Sequence, residues 1–146
     1  FMIFRKFNLT LIFLLFLFAL LGCKTKINQV KNNLQEGKWV TVDTLDYPYI
    51  TKGKYRKGVA IGNWKYFYNG KLERKEKFKK NKCLTIFYYP NGKVKQQGYT
   101  KLDNIDNKAH WYYTDDWRYF DKNGKLTRIY TFQEGKIIDS IIVKSP

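Results

Sequence analysis

The stretch Trp117-Arg-Tyr-Phe-Asp-Lys-Asn-Gly-Lys-Leu126 decides the fold. An aromatic run leads into Asn-Gly-Lys and then into an aliphatic residue. Aromatic side chains fit the pleated surface of a strand. Asn-Gly between two such runs signals a hairpin, because both residues accept positive φ. The same order occurs earlier as Trp64-Lys-Tyr-Phe-Tyr-Asn-Gly-Lys-Leu72, and in weaker form as Ile86-Phe-Tyr-Tyr-Pro-Asn-Gly-Lys-Val94. The chain therefore repeats a β-hairpin. The turn glycines Gly70, Gly92 and Gly124 are 22 and 32 residues apart, so a unit of about 20–25 residues carries an insertion of about ten. That insertion falls in Leu102–Asp116. Its polar first half reads as a loop, and its His110-Trp-Tyr-Tyr113 half as an extra short strand or an aromatic lid.

Working outward, period-two alternation puts Trp64, Tyr66 and Tyr68 on one face and Lys65 and Phe67 on the other. In the second hairpin Leu84, Ile86 and Tyr88 share a face. Gly37 to Val42 reads as the first strand of the domain, and Asp43 to Tyr49 as a loop or irregular edge, since Pro48 cannot donate to a ladder. The glycine-punctuated segment Gly53–Gly62 predicts turn, short strand, turn. Gly135 to Val143 reads as a last strand that caps the sheet.

Composition agrees with an all-β reading. In 146 residues, enough for one domain, 18% are aromatic, while helix-favouring alanine occurs only at Ala19, Ala60 and Ala109. The N-terminus is different. Arg5 and Lys6 precede an unbroken apolar run from Leu11 to Leu21, which is shorter than the roughly 20 residues a spanning helix needs. Leu20-Leu21-Gly22-Cys23 follows. This resembles the lipobox of bacterial lipoproteins, with Leu21 in place of the usual small residue. The resemblance implies a signal peptide over 1–22, a helix in the apolar run, and acylation of Cys23. Removal of Arg5 and Lys6 would lower the formal charge from +16 to +14. Residues 23–36 then read as the lipidated cysteine and a polar tether, and 37–146 as the repeat domain. Lys24 stands where Asp would retain an enterobacterial lipoprotein at the inner membrane. The address implied is the cell envelope, at the periplasmic face of the outer membrane.

With Cys23 acylated, Cys83 is the one remaining thiol, and no intramolecular disulfide can form. A lone cysteine within Cys-Leu-Thr-Ile-Phe-Tyr-Tyr reads as a small hydrophobe in a half-buried strand. His110 is the only histidine. No nucleophile elbow, phosphate-binding glycine loop or histidine-rich metal pattern is present. Asp115 and Asp116 are adjacent, so on a strand they face opposite ways and make a poor acid–base pair. The sequence predicts no enzyme, no cofactor and no metal.

The pattern Gly-x-Trp-x-Tyr-Phe…Asn-Gly-Lys-Leu…Phe-x-x-Gly-Lys resembles the MORN repeat in its bacterial variant. Gly62, Trp64, Tyr66, Gly70 and Leu72 carry the likeness in one copy. Trp117, Tyr119, Gly124, Leu126, Phe132 and Gly135 carry it in another, with Asp115 at the place of the first glycine. The middle copy lacks the tryptophan and keeps Tyr88, Asn91 and Gly92. The likeness spans about residues 53–138. It implies antiparallel hairpins forming one elongated, curved sheet, and a binding or scaffold role in place of catalysis. Some bacterial members carry an antitoxin label, which sits badly with export from the cytoplasm.

Charge adds one more expectation. From Lys52 to Lys82 twelve cations face only Glu73 and Glu76, a local excess of +10. Lysines of this kind guard strand edges against aggregation. They also predict a basic rim of Lys71, Lys75, Lys77, Lys79 and Lys80 for an anionic lipid surface or acidic envelope polymer. The partners expected are the membrane, through the lipid, and a protein; nucleic acid is disfavoured by export.

Overall fold

The computed structural model describes residues 26–44, 46–105 and 108–143. Residues 1–22, where a signal peptide is expected, and Cys23 lie outside the described residues. Ten strands follow in order: β1 (Gln29–Lys31), β2 (Leu34–Thr44), β3 (Pro48–Arg56), β4 (Val59–Tyr68), β5 (Lys71–Lys79), β6 (Lys82–Tyr88), β7 (Val94–Ile105), β8 (Lys108–Phe120), β9 (Leu126–Gln133) and β10 (Lys136–Ile142). Spatial order is sequence order, and every neighbouring pair is antiparallel. The described residues form no helix. The all-β, hairpin-by-hairpin expectation holds. Each strand pairs only with its sequence neighbours, so the sheet is an open meander with two edges, β1 and β10.

The turns divide into two kinds. At Asn69-Gly70 both residues have positive φ, +48° and +70°, as the two-residue hairpin requires. Lys57-Gly58 and Glu134-Gly135 do the same. The other two Asn-Gly sites differ from the expectation. In 89–93 and 121–125 only Gly92 (φ +85°) and Gly124 (φ +87°) are left-handed. Gly92 N–H donates to Tyr89 O and Gly124 N–H to Asp121 O, closing wider loops. These two loops pack together. Asn91 Nδ2 donates to Lys122 O at 2.9 Å, Lys93 Nζ to Asn123 O at 2.7 Å, and Tyr89 Oη to Phe120 O at 2.8 Å. Repeat-to-repeat contact thus runs through the turns as well as the ladder.

Several local expectations are corrected. Gly53 is not a turn; it lies inside β3, opposite Trp39. Gly62 is not a turn either; its φ of +64° marks a bulge in β4 where the register shifts against β3. The Leu102–Asp116 insertion is not a loop in its polar half. Leu102 pairs Trp111, Asp103 pairs His110, and β7 and β8 extend into the two longest strands of the sheet. Tyr112 Oη donates to Asp103, and Lys101 Nζ reaches the same carboxylate at 3.3 Å, so polar side chains partner one another along this extension. The polar stretch read as a tether also joins the sheet. It supplies β1 and the start of β2, and Asn28 bonds both backbone groups of Val40 through its side-chain amide, at 2.7 and 2.8 Å.

One face of the sheet carries the aromatic packing. Trp39, Tyr55, Trp64, Phe78 and Trp111 meet in sequence, edge to face, with centroids 4.8–6.5 Å apart. Farther along, Trp117 stacks on Tyr113 at 4.1 Å, and Tyr113 meets Phe132 at 5.2 Å. Only Trp64, Cys83 and Trp117 are buried hydrophobic residues among those described, and all three lie on this face. The opposite, reverse face carries Lys65, Lys75, Leu84 and Ile86. By contrast β10 is exposed throughout, with Ile137, Ile138, Ile141 and Ile142 in solvent.

Candidate functional site

The two complete repeats place their tryptophans in the same way. Trp64 covers Gly53 on the preceding strand, and Trp117 covers Gly98. A Cβ on Gly53 would meet the six-membered ring of Trp64 at 2.0 Å, and one on Gly98 the five-membered ring of Trp117 at 2.4 Å. Each tryptophan follows, two residues on, a left-handed residue. In β4 that is Gly62; in β8 it is Asp115, φ +59°. The sequence departure at Asp115 therefore keeps the backbone conformation of the glycine it replaces, which an acidic residue tolerates better than most.

The middle hairpin has no such pair. Thr85 stands seven residues before Gly92, as Trp117 stands seven before Gly124. On the preceding strand its partner is Glu76, where the two tryptophans have glycine. Thr85 is buried but small. The result is a cleft of about 410 Å³ between the two tryptophans. Its walls are Trp64, Phe78, Phe87, Trp111, Tyr113 and Trp117, and its floor is Tyr66, Arg74, Glu76, Cys83 and Thr85. Trp111 comes from the insertion and closes one end against Phe78, so the aromatic half of that segment acts as a side wall.

The floor is polar and organised by register. Tyr66, Arg74 and Phe87 are directly opposite on β4, β5 and β6. The Arg74 guanidinium therefore lies over the Tyr66 ring at 3.9 Å and near Phe87 at 5.8 Å. Tyr66 Oη donates to Glu76 at 2.6 Å, and Arg74 Nε lies 3.6 Å from the same carboxylate. Burial, helped by that carboxylate, pushes the Tyr66 hydroxyl well above its ordinary range. Two donors are left over. Arg74 Nε, with only its ion-pair partner Glu76 at 3.6 Å, and Trp64 Nε1 are buried and make no hydrogen bond, whereas Trp117 Nε1 donates to Tyr99 O at 2.9 Å. A buried donor without a partner costs about 1–3 kcal/mol and calls for an explanation.

Chemically the cleft suits binding. Glu76 is the only carboxylate among its lining residues, and it is held by Tyr66 and Arg74. Burial pushes the Cys83 thiol up to about 11, so it stays protonated at neutral pH and is a poor nucleophile. His110 lies elsewhere, beside Tyr112 at 5.7 Å. No group of metal-ligating side chains occurs among the described residues.

The five lysines of the expected rim are only partly gathered. Lys75, Lys77 and Lys79 alternate onto the reverse face of β5. Lys71 begins that strand, about 26 Å from Lys79 at ~3.3 Å per residue, and Lys80 sits in the following turn at φ +56°. Separations beyond a ~10 Å screening length leave Lys71 outside any joint field. The structure brings in residues that linear reasoning missed. Lys52, Lys65 and Lys75 are directly opposite one another across three strands. Tyr119 and Tyr130 meet edge to face at 5.4 Å, which continues the aromatic face.

Arg74 and Glu76 were also missed as site residues, because the charge run hid them among solvated lysines, and Thr85 was missed with them because only register brings it to Glu76. A partial signal was present. The middle copy lacks its tryptophan; aligned on the turn glycines, Thr85 holds that place against the Trp117 copy and Ile86 against the Trp64 copy, and only the strand register assigns it to Thr85. Compared with family models, curated proteins and solved structures, the chain matches none.

Proposed function

We propose that the chain is an envelope lipoprotein, anchored through acylated Cys23, whose MORN-like hairpins form a non-catalytic interaction module. The aromatic face is its docking surface for a protein partner, at the periplasmic side of the outer membrane. One observation carries this reading: a single-layer sheet gathers its tryptophans on one face and leaves a cleft between them. Binding surfaces are enriched in tryptophan, tyrosine and arginine for the same reason, a large rigid area with a polar handle.

A second reading concerns the reverse face. Like charges directly opposite in a sheet cost up to about 1 kcal/mol per pair, yet Lys52, Lys65 and Lys75 form such a row. An anionic surface would offset that cost. Asn28 is fixed to Val40, so a lipid on Cys23 would hold the β1 edge within about 17 Å of the bilayer.

Three measurements test these readings. Cys23→Ser should lose acyl labelling and leave the membrane fraction. An unlabelled wild type found in the cytoplasm would instead favour the antitoxin alternative. A photoreactive phenylalanine at Trp111 should crosslink a discrete protein in native membranes, and one at Lys65 should not. Equal crosslinking from both faces would sink the aromatic-face assignment. For the reverse face, a triple Lys52→Gln, Lys65→Gln, Lys75→Gln variant should lose salt-sensitive binding to anionic vesicles.

A further inference from the structure

The cleft between Trp64 and Trp117 narrows its occupant by what the lining offers and lacks. The walls are aromatic faces and edges. Such faces are electron-rich and attract polarised C–H groups. The floor offers the Glu76 carboxylate, the Thr85 hydroxyl and the Arg74 guanidinium. An occupant that suits this floor brings acceptors to the guanidinium and donors to Glu76. A quaternary ammonium brings no acceptor and would meet the Arg74 guanidinium. A phosphate would satisfy Arg74 but meet the Glu76 carboxylate at close range. A neutral polyol does both jobs, since each hydroxyl donates and accepts. Floor charge is balanced, one guanidinium against one carboxylate at 3.6 Å. The volume, about 410 Å³, is within the usual range for small-ligand sites.

We propose that this cleft binds a pyranose ring of a neutral glycan, its C–H face against the tryptophan walls and its hydroxyls on Glu76, Arg74 and Thr85. The inference rests on the aromatic face being a binding face, and it replaces a protein by a sugar at this one position. The missing tryptophan of the middle repeat is what makes room: Thr85 and Glu76 stand where a Trp–Gly pair would fill the space.

The test uses the detergent-solubilised full chain and two probes, a β-1,4-linked N-acetylglucosamine tetramer and the corresponding glucose tetramer. Saturable binding of at least one should appear by titration calorimetry and as a change in tryptophan fluorescence. Glu76→Gln keeps the shape and should weaken binding at least about tenfold, because a charged acceptor becomes a neutral one. Glu76→Gly combined with Thr85→Trp should rebuild the Trp–Gly pair, keep the near-ultraviolet circular dichroism of a packed fold, and abolish binding. Near-ultraviolet spectra of both variants separate lost binding from lost folding. The inference is overturned if neither tetramer binds wild type, if the double variant binds as wild type does, or if tetramethylammonium or inorganic phosphate binds in the cleft more tightly than both sugars. Crosslinking from position 111 is a separate readout, so a face that captures protein but no sugar would refute this inference and leave the module intact.

Discussion

The hairpins around Trp64 and Trp117 and the hairpin between them share a backbone plan and differ in what fills it. In the outer two a tryptophan lies on a glycine of the preceding strand, and the ring takes the space where a Cβ would be. In the middle one a threonine faces a glutamate, and the space stays open as the cleft. The lesson is that a repeat can change from knob to cavity through one cross-strand pair, with the ladder intact on both sides.

The comparison breaks most directly at Gly98. Gly98→Ala would place a methyl 2.4 Å from the Trp117 ring, which its stack on Tyr113 and its bond to Tyr99 O hold in place. A loss of about 3 kcal/mol is expected, read by urea unfolding, and a loss within error would show that Trp117 is free to slide. Thr85→Ala in the middle hairpin should cost far less.

Next come the turns, where the two regions should behave alike. Gly92 and Gly124 hold φ near +85° in matching loops. Valine resists that conformation, so Gly92→Val and Gly124→Val should each lose about 2 kcal/mol. Unequal losses would mean that the middle hairpin differs in its backbone and not only in its filling.

A finer measurement separates the two tryptophans. Trp117 Nε1 bonds Tyr99 O and Trp64 Nε1 bonds nothing. Trp117→Phe should therefore cost about 1 kcal/mol more than Trp64→Phe in thermal unfolding. Equal costs would show that the Trp117 bond contributes nothing to stability.

The smallest effect belongs to the middle hairpin alone. The Cys83 thiol is raised from 9.0 to about 11 by burial. The stability gained by keeping it neutral is full below about pH 9 and is lost as pH rises through 11. Wild type should lose about 1 kcal/mol more than Cys83→Ala between about pH 8 and pH 10. Parallel pH curves for the two proteins would refute that assignment.

How far the residues could be read ahead varies with the range of the interaction. Trp64, Tyr66, Gly70, Trp117 and Gly124 announced hairpins because alternation and turn chemistry act within a few residues. Gly53 and Gly62 were misread as turns for the same reason: locally a glycine looks like a turn. Its real cause, the Trp64 ring across the ladder or a bulge before it, lies one strand away. The polar half of the insertion was misread because Asp103 and Asn104 disfavour strands in isolation. Pairing with β8 and bonds from Lys101 and Tyr112 outweighed that weak preference.

By itself, then, the amino-acid order determined the all-β meander, the positions of the three Asn-Gly-Lys turns and the alternation that sets Trp64 and Tyr66 on the face opposite Lys65. These follow from φ preference and period-two alternation, which need no knowledge of distant residues. Only the tertiary structure decided which residues share the cleft. Register set Arg74 between Tyr66 and Phe87, put Glu76 beneath Thr85, and lined up Lys52, Lys65 and Lys75 on the other side. A one-residue slip would exchange the faces, and bulges at Gly62 and Asp115 shift that register in ways the alternation pattern does not record.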